Sequence, residues 1–246
     1  MASTEQAIQR AVEEAALAAV ARRNDARNVH DIDAFLAAHA EDVAIYGYPT
    51  SRIGAGGRAH LARIFTPLFT EGLGSAVVHD QWAYDRFVVS NETIVEEGEA
   101  NHIIYIYEVE DGEISALRLI SDPQEDAAGG VANVSAAERS ALSAVARSID
   151  GFNAHDLDAY LAAFAEDVGV YVFPDLQRGA ERAHLERIFG PSFERGEGAI
   201  EVRGQWVTGN VVVTDEVMSG GGASERIIVI HTVEDGVISE YRLIEE

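Results

Sequence analysis

The stretch NVHDIDAFLAAHAEDVAIYGYP (28–49) recurs as NAHDLDAYLAAFAEDVGVYVFP (153–174), with 14 of 22 positions identical at a spacing of 125 residues. One residue of slippage later, RAHLARIFTP (58–67) meets RAHLERIFGP (182–191) at 8 of 10 positions. Trp82 then falls on Trp206, Glu92 on Glu216, and EDGEI (110–114) on EDGVI (234–238). So constant a spacing makes the chain two copies of one unit of about 120 residues, each long enough to hold its own core. Domains are expected at 1–122 and 136–246. The linker at 123–135 lies in SDPQEDAAGGVANVS (121–135), a polar run with a glycine pair and a proline.

The order of elements repeats as well. Residues 4–24 and 136–151 set Ile8, Val12, Ala15, Ala16 and Ala19, and Leu142, Val145, Ala146 and Ile149, at helical spacing. Asn28 and Asn153 stand just past these helices, where a left-handed residue is tolerated. Asp31 and Asp156 are placed to cap second helices ending near Glu41 and Glu166. Short strands (43–48; 168–173) and third helices (57–65; 181–189) follow. Strands are then expected at 76–84, 87–95, 101–109 and 114–120, and at 199–207, 211–218, 225–233 and 238–244, with an Asp-Gly turn before the last. Helices followed by a curved, mostly antiparallel sheet make an α+β layout. Ile103, Tyr105, Tyr107 and Val109 share one face of their strand and Ile104 and Ile106 the other; the copy has Ile227, Val229, His231 and Val233 against Ile228 and Ile230. A strand apolar on both faces needs cover on both, which predicts an intramolecular pseudo-dimer of the two sheets and a monomeric chain, with Arg118 and Arg242 in ion pairs between them.

The 246 residues include 42 acidic and 18 basic side chains, a formal charge of −24, and every basic one is arginine. Such a charge repels phosphate backbones and anionic lipid, so neither nucleic acid nor membrane is an expected partner. With no cysteine, disulfides, thiolate nucleophiles and Cys-ligated metals are excluded. MASTEQAIQR at the start lacks the basic and apolar regions of a secretion signal, and a cytoplasmic location is expected. GAGG (54–57) lacks the spacing of a nucleotide loop.

The FNAHDLDAYLAAFAEDVGVY run (152–171), its counterpart at 27–46, the Gly-rich entry to the third helix and the VEDG-I ending resemble the nuclear-transport-factor-2-like cone, in its SnoaL-like branch. The resemblance covers nearly all of both units. It implies two tandem cones, each with about three N-terminal helices packed on the sheet around an apolar pocket. It implies relatives among isomerases, dehydratases, epoxide hydrolases, cyclases and small-molecule binders, working without a cofactor.

Ketosteroid-isomerase-like members need an Asp base where this chain has Gly47 and Val172, an oxyanion Tyr where it has Arg23 and Ser148, and a further Asp where it has Tyr105 and Val229. Epoxide-hydrolase-like members need an Arg and an Asp two apart, where the chain has Glu216 and Met218 or Glu92 and Ile94. Neither scheme carries over. Scytalone-dehydratase-like members use an Asp late in the first helix, which Asp25 and Asp150 match. Such a carboxylate, desolvated at a pocket, can polarise a histidine base; His79 stands near the required strand position, and Arg203 replaces it in the second unit. His231, in the place of Tyr107 on the pocket face, is a candidate general base. His30, His155, His60 and His184 read as turn and helix-border residues, and without HxH or HExxH spacing no metal site is expected.

Tyr46, Tyr48, Tyr84, Tyr105 and Tyr107 in the first unit, and Tyr171, Phe173, Trp206 and Tyr241 in the second, are expected to line the pockets as aromatic walls. Asp25, Asp150, His231 and His79 are the catalytic candidates. These readings point to a cofactor-independent acid–base enzyme (cyclase, isomerase or dehydratase) acting on a hydrophobic cyclic small molecule such as a polyketide or steroid. The alternatives are a non-catalytic binder or sequestering protein using the same pockets, and a structural protein whose cones have filled shut.

Overall fold

A computed structural model describes residues 2–54, 56–96, 98–121 and 134–245. Up to residue 133, the expected linker lies outside them. The chain divides into two compact units, Met1–Val131 and Ala132–Glu246, with the same elements in the same order. The first holds α1 (Ala2–Asn28), α2 (Ile32–Ala37), β1 (His39–Gly47), β2 (Ser51–Arg52), α3 (Arg58–Thr70), β3 (Ser75–Tyr84), β4 (Phe87–Glu96), β5 (Glu99–Glu110) and β6 (Glu113–Ile120). The second holds α4 (Ala136–Asn153), α5 (Leu157–Ala162), β7 (Phe164–Val172), β8 (Leu176–Ala180), α6 (Arg182–Arg195), β9 (Ala199–Thr208), β10 (Val211–Gly220), β11 (Ala223–Glu234) and β12 (Val237–Ile244). Each unit has one six-stranded sheet, ordered β2-β1-β6-β5-β4-β3 and β8-β7-β12-β11-β10-β9. Only the β1–β6 and β7–β12 pairs among the described strands are parallel. The two units are tandem α+β cones.

Local chemistry explains the helix ends. Ser135 caps α4 in a capping box with Glu138, and Asp31 and Asp156 cap α2 and α5 through the Ala34 and Ala159 amides. The left-handed residues after α1 and α4 are His30 and His155, at φ of 57° and 54°, and not the asparagines. Asn28 and Asn153 stay helical and use their side chains as strand mimics. Asn28 donates Nδ2 to the Ala76 carbonyl and accepts from its amide, and Asn153 does the same with Ile200. Each first helix is thereby stitched to β3 or β9.

Two boundaries differ from expectation. The second helices stop at Ala37 and Ala162, and the strands begin at His39 and Phe164, well before the expected start. The alanines of LAAHAEDV and LAAFAEDV suit a helix, but parallel pairing of His39 with Ile114 and of Phe164 with Ile238 wins. The third helices run on through Pro67 and Pro191 to Thr70 and Arg195, because Phe69 and Phe193 bury in the core one turn later.

The core of each unit lies between the helices and one sheet face. Tyr105, Tyr107, Val109, Val88 and Ile94 join Val20, Phe35 and Leu61 in the first; Val229, Val233, Val212 and Tyr241 join Val145, Phe152 and Tyr160 in the second. Ile104, Ile106, Ile228 and Ile230, on the opposite sheet face, are buried as well.

Candidate functional site

Strand alternation in β4 turns Ser90 and Glu92 toward the helices, alongside Val88 and Ile94. Glu92 is wholly buried. Its Oε1 accepts from Ser90 Oγ at 2.7 Å, the Tyr107 hydroxyl at 3.1 Å and Asn24 Nδ2 at 3.2 Å, and its Oε2 accepts from Arg23 Nη1 at 3.3 Å. The Arg23 guanidinium carbon sits 5.3 Å from the centres of the Tyr105 and Tyr107 rings and 5.6 Å from that of Phe35. Burial works against the charge of Arg23, but Tyr107, Glu92 and Tyr105 outweigh it and its pKa lies above the ordinary value. Burial also drives the Tyr107 phenol well up, against the pull of Arg23. One turn on, Arg27 gives Nε to the Gly74 carbonyl and Nη2 to Glu96. Three donors converge on Glu92 Oε1 and the Arg23 guanidinium takes Oε2, so this carboxylate is neutralised and held by its own neighbours.

The second unit keeps the carboxylate and changes its company. Glu216 is 1% exposed. Arg23 is replaced by Ser148, Tyr105 by Val229 and Tyr107 by His231. Thr214 Oγ1 lies 2.6 Å from Glu216 Oε1 and 3.2 Å from His231 Nε2, with the Val229 carbonyl farther off at 3.5 Å. A hydroxyl has one hydrogen to give. At 2.6 Å it goes to the carboxylate, which leaves His231 Nε2–H to donate to Thr214. The imidazole proton is thereby assigned to Nε2, and Nδ1 carries the lone pair.

His231 Nδ1 is buried and has no hydrogen-bond partner. Glu216 Oε1 lies 3.6 Å from His231 Nε2. Tyr241 stands edge-on to His231 at 5.4 Å. Burial first, and the charge of Glu216 second, raise the pKa values of Tyr160 and Tyr241. The chain Glu216–Thr214–His231 can hold a proton acquired at Nδ1, since the carboxylate stabilises the imidazolium through the bridging hydroxyl.

The other expected catalytic groups are not brought to this centre. Asp25 and Asp150 are exposed at the ends of α1 and α4, on the helix sides away from the core, so no desolvated aspartate forms. His79 is exposed and bonds Thr93 Oγ1 at 2.8 Å. It is the extra residue of a β-bulge between Val78 and Asp80, and Arg203 occupies the matching bulge between Val202 and Gly204. Tyr105, Tyr107 and Tyr241 are buried in the cores between helices and sheet. Tyr46, Tyr48, Tyr84, Tyr171, Phe173 and Trp206 lie on the other side of the sheets, where Tyr84, Phe173 and Trp206 are buried too. Two-residue alternation puts them on the sheet face opposite Val43 and Ile45, Ala83, Val168 and Val170, and Val207. Tyr46 and Tyr171 there pack beneath Arg118 and Arg242, whose guanidinium carbons lie 4.7 and 4.0 Å from the ring centres. Arg118 reaches Glu108, and Arg242 reaches Glu240 and the Pro174 carbonyl. Among the described residues no three of His, Cys, Asp and Glu converge as metal ligands, and no helix is long and apolar enough to cross a membrane.

Residues 145–241, nearly all of the Glu216–His231 unit, match the family model of the SnoaL-like domain. The second unit is a SnoaL-like domain. Its strand order and helices are repeated in the first unit. No protein of curated function matches the sequence. Among solved structures, the chain is similar to an NTF2-like protein of unknown function from Cytophaga hutchinsonii (20% identity over 45% of this chain and 92% of that one, TM-score 0.39). It is also similar to a putative ketosteroid isomerase from Kribbella flavida (17%, 44% and 78%, 0.38) and to an LEH-like epoxide hydrolase from Mycobacterium tuberculosis (22%, 44% and 82%, 0.37).

In the SnoaL-like second unit and its repeat, the residues that organise the interiors are Glu216 and Glu92, which the sequence reading weighed only against one catalytic scheme. The signal was present: a carboxylate kept at the repeat spacing inside VVSNETIV and VVTDEVM, on the same face as the strand's buried valines. Thr214 shares β10 with Glu216, but its contact with His231 crosses to β11 and no spacing announces it.

Proposed function

We propose that the second unit is a cofactor-independent acid–base enzyme acting on a hydrophobic cyclic small molecule, with His231 as its general base. Its reaction type is that of an isomerase, cyclase or dehydratase, in which a proton leaves a carbon acid and returns elsewhere. His231 Nδ1 takes the proton, and Glu216, through Thr214, stabilises the charge that forms. The observation that carries this reading is the buried, unpartnered Nδ1 of His231, whose other ring nitrogen reaches Glu216 through Thr214. The imidazolium formed in that step meets a counter-charge already in place. The first unit has the same fold, but its carboxylate is saturated by Arg23, Asn24, Ser90 and Tyr107, which suits a scaffold and not a base.

Proton abstraction can be read without knowing the full reaction. The full chain would be incubated in deuterium oxide with a cyclic β-diketone and with a β,γ-unsaturated cyclic ketone, and exchange at carbon followed by NMR. Catalysed exchange in the parent, falling about a hundredfold or more in His231→Gln, is the expected result. Equal exchange in both would overturn the reading. Shifts of the His231 ring resonances without any exchange would indicate a small-molecule binder in place of an enzyme.

A further inference from the structure

The two units present one carboxylate in two electrostatic settings. In the first, the Arg23 guanidinium lies against Glu92, with the rings of Phe35, Tyr105 and Tyr107 within 5.6 Å of its central carbon. That guanidinium is a planar organic cation seated on a carboxylate between aromatic rings, and the protein supplies it from its own Arg23 side chain. In the second unit the carboxylate remains as Glu216, and the ring at the Phe35 position remains as Tyr160, with Tyr241 added at the Leu117 position. The cation is missing. Ser148 stands where Arg23 would, and its hydroxyl is turned back onto the Val145 carbonyl at 2.8 Å. The Tyr105 position has shrunk to Val229. Among the described residues no arginine pairs with Glu216; the His231 ring lies beside it, with Nε2 3.6 Å from Oε1 and Nδ1 unpartnered.

We propose that the ligand of the second unit carries a cationic nitrogen, an ammonium, amidinium or guanidinium group on an apolar body, seated on Glu216 as the first unit seats Arg23 on Glu92. This rests on reading the second unit as the one that takes a ligand, and it names the chemical class that the ligand belongs to. A buried carboxylate lacking a cation is costly, and a partner that restores the charge pair recovers that cost. The electron-rich faces of Tyr160 and Tyr241 favour the same occupant. So does the whole molecule: with a formal charge of −24 it raises the local concentration of cations and repels anions. The first unit is then an internally occupied version of the same site.

Three probes of nearly equal shape separate charge from size: benzamidine, benzamide and benzoate. Each would be titrated into the full chain by calorimetry, with the His231 ring resonances followed in parallel by NMR. Benzamidine is expected to bind at least about tenfold tighter than benzamide, and benzoate not to bind. Ser148→Arg, which copies the first unit's own cation, should abolish benzamidine binding while the near-ultraviolet circular dichroism stays native. Glu216→Gln should remove the preference for the cation. Equal affinity for benzamidine and benzamide, or a preference that survives both variants, overturns the proposal. If benzamide moves the His231 resonances as far as benzamidine does, the ligand is neutral and the second unit remains a ligand site. If no probe moves them, the cation proposal and the ligand-site reading fall together.

Discussion

His39 shows how a single buried side chain ties stability to acidity. Its Nδ1 lies 2.8 Å from the Phe35 carbonyl and its Nε2 is buried without a partner. Burial, then the charge of Arg23, push its pKa down to about 3; the Phe35 carbonyl works the other way and Arg58 adds to the depression. The unfolded chain therefore binds a proton that the folded chain refuses, between about pH 6.5 and pH 3. The stability held by the neutral imidazole is complete above that window and drains away as pH falls through it, on the order of 2 kcal/mol by pH 4.5. His39→Phe, which copies Phe164 of the second unit, should leave stability near pH 7.5 within about 1 kcal/mol and flatten the acid side. Urea unfolding at pH 7.5 and 4.5 checks this, and an unchanged difference between the two pH values would count against it. At the same scale, Arg23→Met strands Glu92 and should cost about 3–5 kcal/mol in the same assay, with much of that returned when Glu92→Gln is added. Residue roles of this kind were only half legible in the sequence. The repeat exposed Glu92 and Glu216 as a retained pair, but proton ownership in Glu216–Thr214–His231 depends on distances that no spacing encodes. Asp25 and Asp150 were legible as a repeated pair too, and their exposure follows from the phase of α1 and α4, which turns Ala26 and Gly151 inward in the next position.

Elements were legible where hydrophobic period and turn residues agreed. The four long strands of each unit fall within about two residues of their expected ends because an Asp-Gly or Gly turn bounds them. The second helices and the strands after them misread because Ala-rich sequence favours a helix locally, while the pairing that ends it comes from β6 or β12, some 75 residues away in sequence. The face taken by Tyr46, Tyr84 and Trp206 depends on where β1, β3 and β9 begin and bulge, and a shift of one residue reverses it. Packing between elements gives a sharper test. Gly151 in α4 faces α5 so closely that an added Cβ would stand 2.6 Å from the Tyr160 amide nitrogen and 2.8 Å from its Cα. The first unit carries Ala26 at that place. Gly151→Ala should therefore destabilise by roughly 1–3 kcal/mol despite the better helix propensity of alanine. Thermal melts of the full chain would show it as a lower midpoint; a raised midpoint would mean that α4 and α5 separate readily.

The whole molecule carries 42 acidic against 18 basic side chains, and self-repulsion on that scale destabilises any compact state. Raising sodium chloride from 10 mM to 0.5 M should lift the thermal midpoint by several degrees, since screening relieves repulsion faster than it weakens the few ion pairs present. Calorimetry at four salt concentrations measures this, and a falling midpoint would show that the arginine pairs dominate. The repeat itself was the most legible property at this scale, because duplicated sequence announces duplicated fold. Duplication also sets what each half can become. In the first unit Arg23, Asn24, Ser90 and Tyr107 all depend on Glu92, so any one change strands several partners, and drift there is held in check. In the second unit Nδ1 of His231 answers to no neighbour, so single substitutions around it can be tried one at a time. Directed evolution for new substrates should therefore draw its productive variants from the second half of the chain, with the first half contributing the steady folding background against which they are selected.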